Sequence, residues 1–186
     1  NSNACYDSSS VVNVVVNTLP AATATAASTT TFCQGGSVVL NANSGSGLTY
    51  QWRKDGANIS GASASSYTAT TSGSYKVVVT NSSSCSDSSS AVVVTVNALP
   101  AATATAASAT TFCQGGSVVL NANNGNSLIY QWRKNGVNIS SAASISYTAN
   151  TSGSYKVIVT NSNGCIDSSN TITVTVNPLP TAIITP

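Results

Sequence analysis

Apolar and polar residues alternate along this chain in short blocks. Val38, Leu40 and Ala42 fall on one side of residues 37–42, and Tyr50 and Trp52 share a side against Gln51 and Arg53. Tyr67 and Ala69 mark a shorter block, followed by Tyr75, Val77 and Val79, and then by Val92, Val94 and Val96. A period of two is that of a strand with one face buried, so each block predicts a strand. Between the blocks stand Gly35-Gly36, Gly45, Asp55-Gly56 and Ser72-Gly73, residues that turn the chain. No helical stripe of useful length interrupts the series. About seven short strands in this span, separated by turns, is the pattern of an immunoglobulin-like β-sandwich.

The whole pattern then returns. Cys33, Trp52, Tyr75 and Cys85 recur as Cys113, Trp132, Tyr155 and Cys165, each shifted by 80 positions, with about three quarters of the aligned residues identical and no insertion. The second copy supports the assignment of the last strand: Ile172, Val174 and Val176 stay apolar while Thr171, Thr173 and Thr175 are polar. Self-similarity at a fixed period predicts an array. The repeats run 18–97 and 98–177; residues 1–17 align with 81–97 as the last strand of a preceding repeat, and 178–186 begin another. The expected fold is all-β, tandem sandwiches in a linear array cut from something longer. A leader would not be expected in such a window.

Composition narrows the partners. The chain has six Lys and Arg, four acids and no His, for a net charge of +2. Its basic residues are few and scattered, which argues against nucleic acid and anionic membrane. The longest apolar run, around Val14-Val15-Val16, is too short to span a bilayer. Five cysteines in so polar a chain favour an oxidising compartment, and cross-links suit a small core.

Phe32-Cys33-Gln34-Gly35-Gly36-Ser37-Val38, Tyr50-Gln51-Trp52, Ser72-Gly73-Ser74-Tyr75-Lys76-Val77 and Asn163-Gly164-Cys165 together resemble the Ig-like tandem repeats of giant secreted surface proteins of Bacteroidota. Those are similar to adhesins and filaments exported by the type IX system. The resemblance covers the whole chain and implies an extracellular, cell-surface location.

The cysteines pose a geometric question. In an antibody-like domain the bridge joins the middles of the second and sixth strands, where this chain has Ala42 and Val77. Cys33 precedes the second strand and Cys85 follows the sixth. Those strands run the same way, which puts the two sulfurs at opposite poles, a strand length of roughly 23 Å apart. A disulfide needs Cα atoms ~4.4–6.8 Å apart. The expectation is therefore a bond from Cys33 of one repeat to Cys165 of the next, with Cys5, Cys85 and Cys113 pairing with repeats outside the window. A local Cys33–Cys85 bond stays as the alternative, since two cysteines per module commonly pair within it.

Catalytic chemistry finds no footing. With no His and no Glu, the many Ser and Thr lack a base, and Asp7, Asp55, Asp87 and Asp167 stand apart rather than converging on a metal. Neither an enzyme nor a cofactor is expected. Trp52, Tyr75, Trp132 and Tyr155 read as core anchors rather than sugar platforms. Arg53, Lys54 and Lys76 read as outward charges that discourage edge pairing. The expected function is structural: a repeat section of a long extracellular stalk or filament, stiffened by Pro-containing linkers such as 97–100 and by disulfides. Its partners would be neighbouring repeats or identical chains. Two alternatives remain. One is a multivalent adhesive module for surface glycans, with 82–90 and 61–66, the stretches that differ most between repeats, as places to look. The other is a pilin-like subunit polymerising by strand donation from residues 1–17.

Overall fold

The computed structural model describes residues 6–181, so Cys5 and the last five residues lie outside the described residues. By contacts the chain divides into two units. One runs to Thr30 and resumes over Ser37–Thr95; the other holds Thr31–Gly36 and the chain from Val96 onward.

The first repeat contains β1 (Ala24–Ala26), β2 (Thr31–Cys33), β3 (Val38–Ala42), β4 (Thr49–Lys54), β5 (Ala57–Asn58), β6 (Ser66–Ala69), β7 (Gly73–Thr80), β8 (Ser86–Ser88) and β9 (Val92–Asn97). One sheet has the order β1-β3-β6; the other has β2-β9-β7-β4-β5, with β8 also on β7. The second repeat copies this with β10 (Ala104–Ala106), β11 (Thr111–Cys113), β12 (Val118–Ala122), β13 (Ile129–Lys134), β14 (Val137–Asn138), β15 (Ser146–Ala149), β16 (Gly153–Thr160), β17 (Ile166–Ser168) and β18 (Ile172–Asn177). Its sheets are β10-β12-β15 and β11-β18-β16-β13-β14, with β17 on β16. The described residues are all strand, turn and loop, in the all-β sandwich class that the alternation predicted.

Each repeat has nine strands where about seven were expected. The opening segment is divided between the sheets. β10 pairs antiparallel with β12, and the chain then crosses so that β11 runs parallel to β18, Thr111 opposite Thr175 and Cys113 opposite Asn177. The final strand is also divided, at Ser89 and Ser169. Ser89 N–H donates to the Val77 carbonyl at 2.9 Å, while its buried Oγ accepts from Val77 N–H at 3.1 Å and donates to Ser90 O at 2.9 Å. A side-chain oxygen thus fills a ladder position, and no buried polar side-chain atom among the described residues lacks a partner. The stretch 82–90, one of the two that differ most between the repeats, is consequently a short loop closed by strand β8.

The hairpin from β4 to β5 shows the turn chemistry at work. Asp55 and Gly56 have φ of 49° and 86°, and Asn135 and Gly136 have 50° and 83°. Two consecutive positive φ values are what a two-residue turn needs to match strand twist, and Asp-Gly and Asn-Gly supply them. Asp55 Oδ1 accepts from Ser74 N–H at 2.8 Å, and Asn135 does the same for Ser154 at 2.9 Å. Gly73, expected as a break, is instead the first residue of β7.

Both cores are built around an aromatic file. Trp52, Tyr75, Trp132 and Tyr155 are fully buried, together with Val38, Leu40, Val77, Val79 and their copies. Tyr67 lies between Trp52 and Tyr75, with ring centroids 6.1 and 5.8 Å away. The polar ends of the buried rings are satisfied: Trp52 Nε1 donates to Ala64 O at 3.0 Å, and the Tyr75 hydroxyl donates to Thr71 O at 2.8 Å. The second bond is the tyrosine corner of immunoglobulin-like sandwiches.

Residues 6–17 form no strand, and Val12, Val14 and Val16 are 82%, 81% and 87% exposed. Val94, the copy of Val14, is 2% exposed, and Val92 and Val96, the copies of the other two, are half-buried.

Candidate functional site

The most distinctive chemistry is at the cysteines. Each Cys85-type residue sits at the end of a tight loop organised by one asparagine. Asn81 Oδ1 accepts from Ser83 N–H (3.1 Å) and Cys85 N–H (3.0 Å), and its Nδ2 donates to Thr18 O at 2.8 Å. Asn161 makes the same three bonds, to Asn163, Cys165 and Ala98, each at 3.0 Å. The loop backbone requires a left-handed residue, Ser84 at φ 62° in one copy and Gly164 at φ 76° in the other. The loops therefore present their cysteines alike. The Cys33-type residue closes the short parallel strand, where Gln34 N–H donates to Asn97 O at 2.8 Å, as Gln114 does to Asn177.

Cys33 is bonded to Cys165, 132 residues along the chain, with Cα atoms 5.5 Å apart. Both ends belong to the second unit, which includes Thr31–Gly36. The Asn97 carbonyl lies 3.9 Å from Cys165 Sγ, a contact and not a hydrogen bond because the bonded sulfur carries no proton. Cys85 and Cys113 are free thiols. Each is more exposed than its bonded copy: Cys165 is fully buried while Cys85 is half-buried, and Cys33 is half-buried while Cys113 is exposed.

Other residues singled out from sequence are placed differently. The buried tryptophans offer no face to a sugar. The stretch 61–66 lies against Trp52, whose backbone N–H donates to Ala62 O at 2.9 Å and whose indole N–H donates to Ala64 O. It varies freely because the contacts are to backbone: Ala64 O and Ser144 O accept the same indole bond in the two repeats. Arg53 and Lys76 do not guard an edge. They stand directly opposite each other on the inner strands β4 and β7, and β4 is covered on its far side by bonds to Ile59 and Ala62. Lys54 Nζ reaches Thr71 Oγ1 at 2.9 Å, beside the tyrosine corner. Arg133 and Lys156 repeat the pairing on β13 and β16. Like charges directly opposite are unfavourable, yet four of the six basic residues are arranged so. Each pair lines a shallow groove of about 330–340 Å³, with Asp55 in the first and Asn135 in its place in the second. The sequence signal was present in the registers of Arg53 and Lys76, but it required the strand pairing to be seen.

Among the described residues no group of three or more His, Cys, Asp or Glu is placed to hold a metal ion. Asp87 and Asp167 turn their Oδ1 to the next residue's own N–H at 2.7 Å. Among the described residues no helix is long and apolar enough to cross a membrane.

Comparison with known families matches the profile of the Ig-like domain described as CHU_C associated, twice, over residues 20–98 and 100–178. The chain belongs to this CHU_C-associated Ig-like family. No curated protein matches it. Among solved structures, the N-terminal domains of the bacteriophage RB49 highly immunogenic outer capsid protein are similar at 23% identity and a TM-score of 0.41, over 84% of this chain and 59% of that one. The chain thus spans less than two thirds of that structure's length. Murine CEACAM1b is similar at 16% identity and a TM-score of 0.38, over 84% and 100%. Tandem Ig repeats of Dlar are similar at 16% and 0.35, over 80% and 93%.

Proposed function

We propose that this CHU_C-associated tandem Ig-like chain is a structural section of a long extracellular stalk or filament on a bacterial surface, stiffened by short Pro-containing linkers and by disulfides between successive repeats. The observation that supports this most is the bond from Cys33 in the first sequence repeat to Cys165 in the second. Two cysteines per repeat, used across the repeat boundary and not within it, suit a series that continues through Cys85 and Cys113. Residues 6–17 carry a last-strand pattern without a sheet, which suits the end of a preceding repeat.

The test is a reducing, denaturing gel of the native material, with mass spectrometry on the band that carries these peptides. A band of hundreds of kilodaltons supports the continuous stalk. A band near 18.5 kDa overturns it in favour of a discrete subunit polymerising through residues 1–17.

The grooves at Arg53–Lys76 and Arg133–Lys156 favour a second reading, an adhesive repeat that meets carboxylated or sulfated sugars weakly and many times. Binding of a sulfated polysaccharide that survives Arg133→Gln with Lys156→Gln, in a chain already carrying Arg53→Gln and Lys76→Gln, would remove that reading.

A further inference from the structure

We propose that the Cys33–Cys165 bond carries tension along this chain in place of the folded sandwiches, and that Cys85 and Cys113 are the open halves of the same bond in neighbouring repeats. The proposal deepens the stalk reading and rests on it for its biological setting.

The argument is one of connectivity. A pull applied beyond the two cysteines reaches Cys33, passes through the sulfurs and leaves from Cys165. Residues 34–164, more than two thirds of the chain, are bypassed. Both tryptophan-centred aromatic files and strands β3 to β16 lie inside the bypass. Outside it are β1, β2, β17, β18 and the ends, so these alone can be peeled by force.

The 80-residue period extends this. Cys113 copies Cys33, and Cys85 copies Cys165, in loops with the same asparagine-centred bonds. The bonded pair shows what the free pair is built to do. A bond one repeat on, starting at Cys113, would begin 52 residues before the first one ends. Bonds two repeats apart, at a period of 160 residues, leave only 27 residues between one and the next. The series would therefore form two interlaced tension paths, each almost free of extensible chain. Forming each bond converts two thiols into one disulfide and releases two protons and two electrons. A disulfide oxidant such as oxidised glutathione, or a thiol oxidoreductase, takes up the electrons.

The experiment is single-molecule pulling on the whole chain, tethered at its two termini, before and after dithiothreitol. The oxidised chain is expected to release only the segments outside the cysteines. Reduction should add a further ~450 Å of extension, the length of the 132-residue span at ~3.4 Å per residue. Cys33→Ser should behave as the reduced protein without any reductant, while Cys85→Ser should behave as the parent. If the oxidised chain unfolds to full length, or reduction adds nothing, the tension path is wrong. That result would leave the gel test of the stalk reading untouched, so the two can fail separately. For the series, a non-reducing tryptic map of native material should show peptide 77–133, which holds Cys85 and Cys113, joined to peptides of other repeats. Finding that peptide with two free thiols, or with Cys85 bonded to Cys113, overturns the series.

Discussion

At the scale of single residues, the two repeats test one another. Three positions carry Gly in one copy and Ser in the other at the same left-handed backbone: Gly47 (φ 72°) and Ser127 (57°), Gly61 (72°) and Ser141 (58°), and Gly164 (76°) and Ser84 (62°). A side chain at positive φ costs energy that glycine does not pay. Ser84→Gly, Ser127→Gly and Ser141→Gly should each stabilise the fold by about 1 kcal/mol in urea unfolding, close to additively because the sites are separate. A second residue-scale effect concerns pH. Burial, and then the neighbouring Tyr75 or Tyr155 hydroxyl, raises the pKa of Tyr67 and of Tyr147 above the usual 10.0. In the unfolded chain these phenols ionise first. The folded state then holds more protons, and stability falls as pH rises. The contribution should be intact below about pH 10 and lost as pH rises beyond it, giving a urea midpoint that drops only above about pH 10. Tyr67→Phe with Tyr147→Phe should flatten that drop.

At the scale of elements, alternation located the main strands because a half-buried strand must repeat every second residue. Val38 and Leu40, and Tyr75, Val77 and Val79, are buried as their spacing required. What alternation could not convey was the splitting of strands. Ser89 looks like one more serine in a polar run, and only its bonds to Val77 reveal a ladder position. β2 and β11 are three residues long, too short for any periodicity, and the parallel pairing depends on the open edge of a strand more than 60 residues away. Residues 6–17 present the opposite case, a clear strand pattern with no sheet. Since Val11, Val12, Val14, Val15 and Val16 are at least 80% exposed, deleting residues 1–17 should leave the thermal midpoint within about 1 °C and reduce self-association in light scattering. A drop of several degrees would show that the segment packs on the folded repeats.

At the scale of the whole molecule, covalent connectivity governs what can be separated. All six Lys and Arg lie between Cys33 and Cys165, so every tryptic cut falls inside the bond. A nicked chain should run at full mass without reductant and fall apart with it. Complete digestion of this 186-residue chain by itself, with no neighbouring repeats to bond, should leave peptide 1–53 joined to peptide 157–186 and release 77–133 unlinked; a Cys5→Ser background removes the other thiol of the first peptide. Joining of 1–53 to 77–133 would instead mean that Cys33 pairs with Cys85, the local bond, or with Cys113.

By itself the sequence determined the all-β class, the 80-residue period, the aromatic anchors and the Asp-Gly and Asn-Gly turns. These follow from local rules: side-chain alternation, the steric freedom of glycine, and self-similarity along the chain. Tertiary structure alone decided which sheet receives each half of the opening strand and which basic residues face one another, and it chose the Cys33–Cys165 bond that the sequence favoured over the local Cys33–Cys85 alternative that the sequence left open. Those choices depend on distances between residues far apart in the chain, and a distance of that kind exists only once the strands have paired.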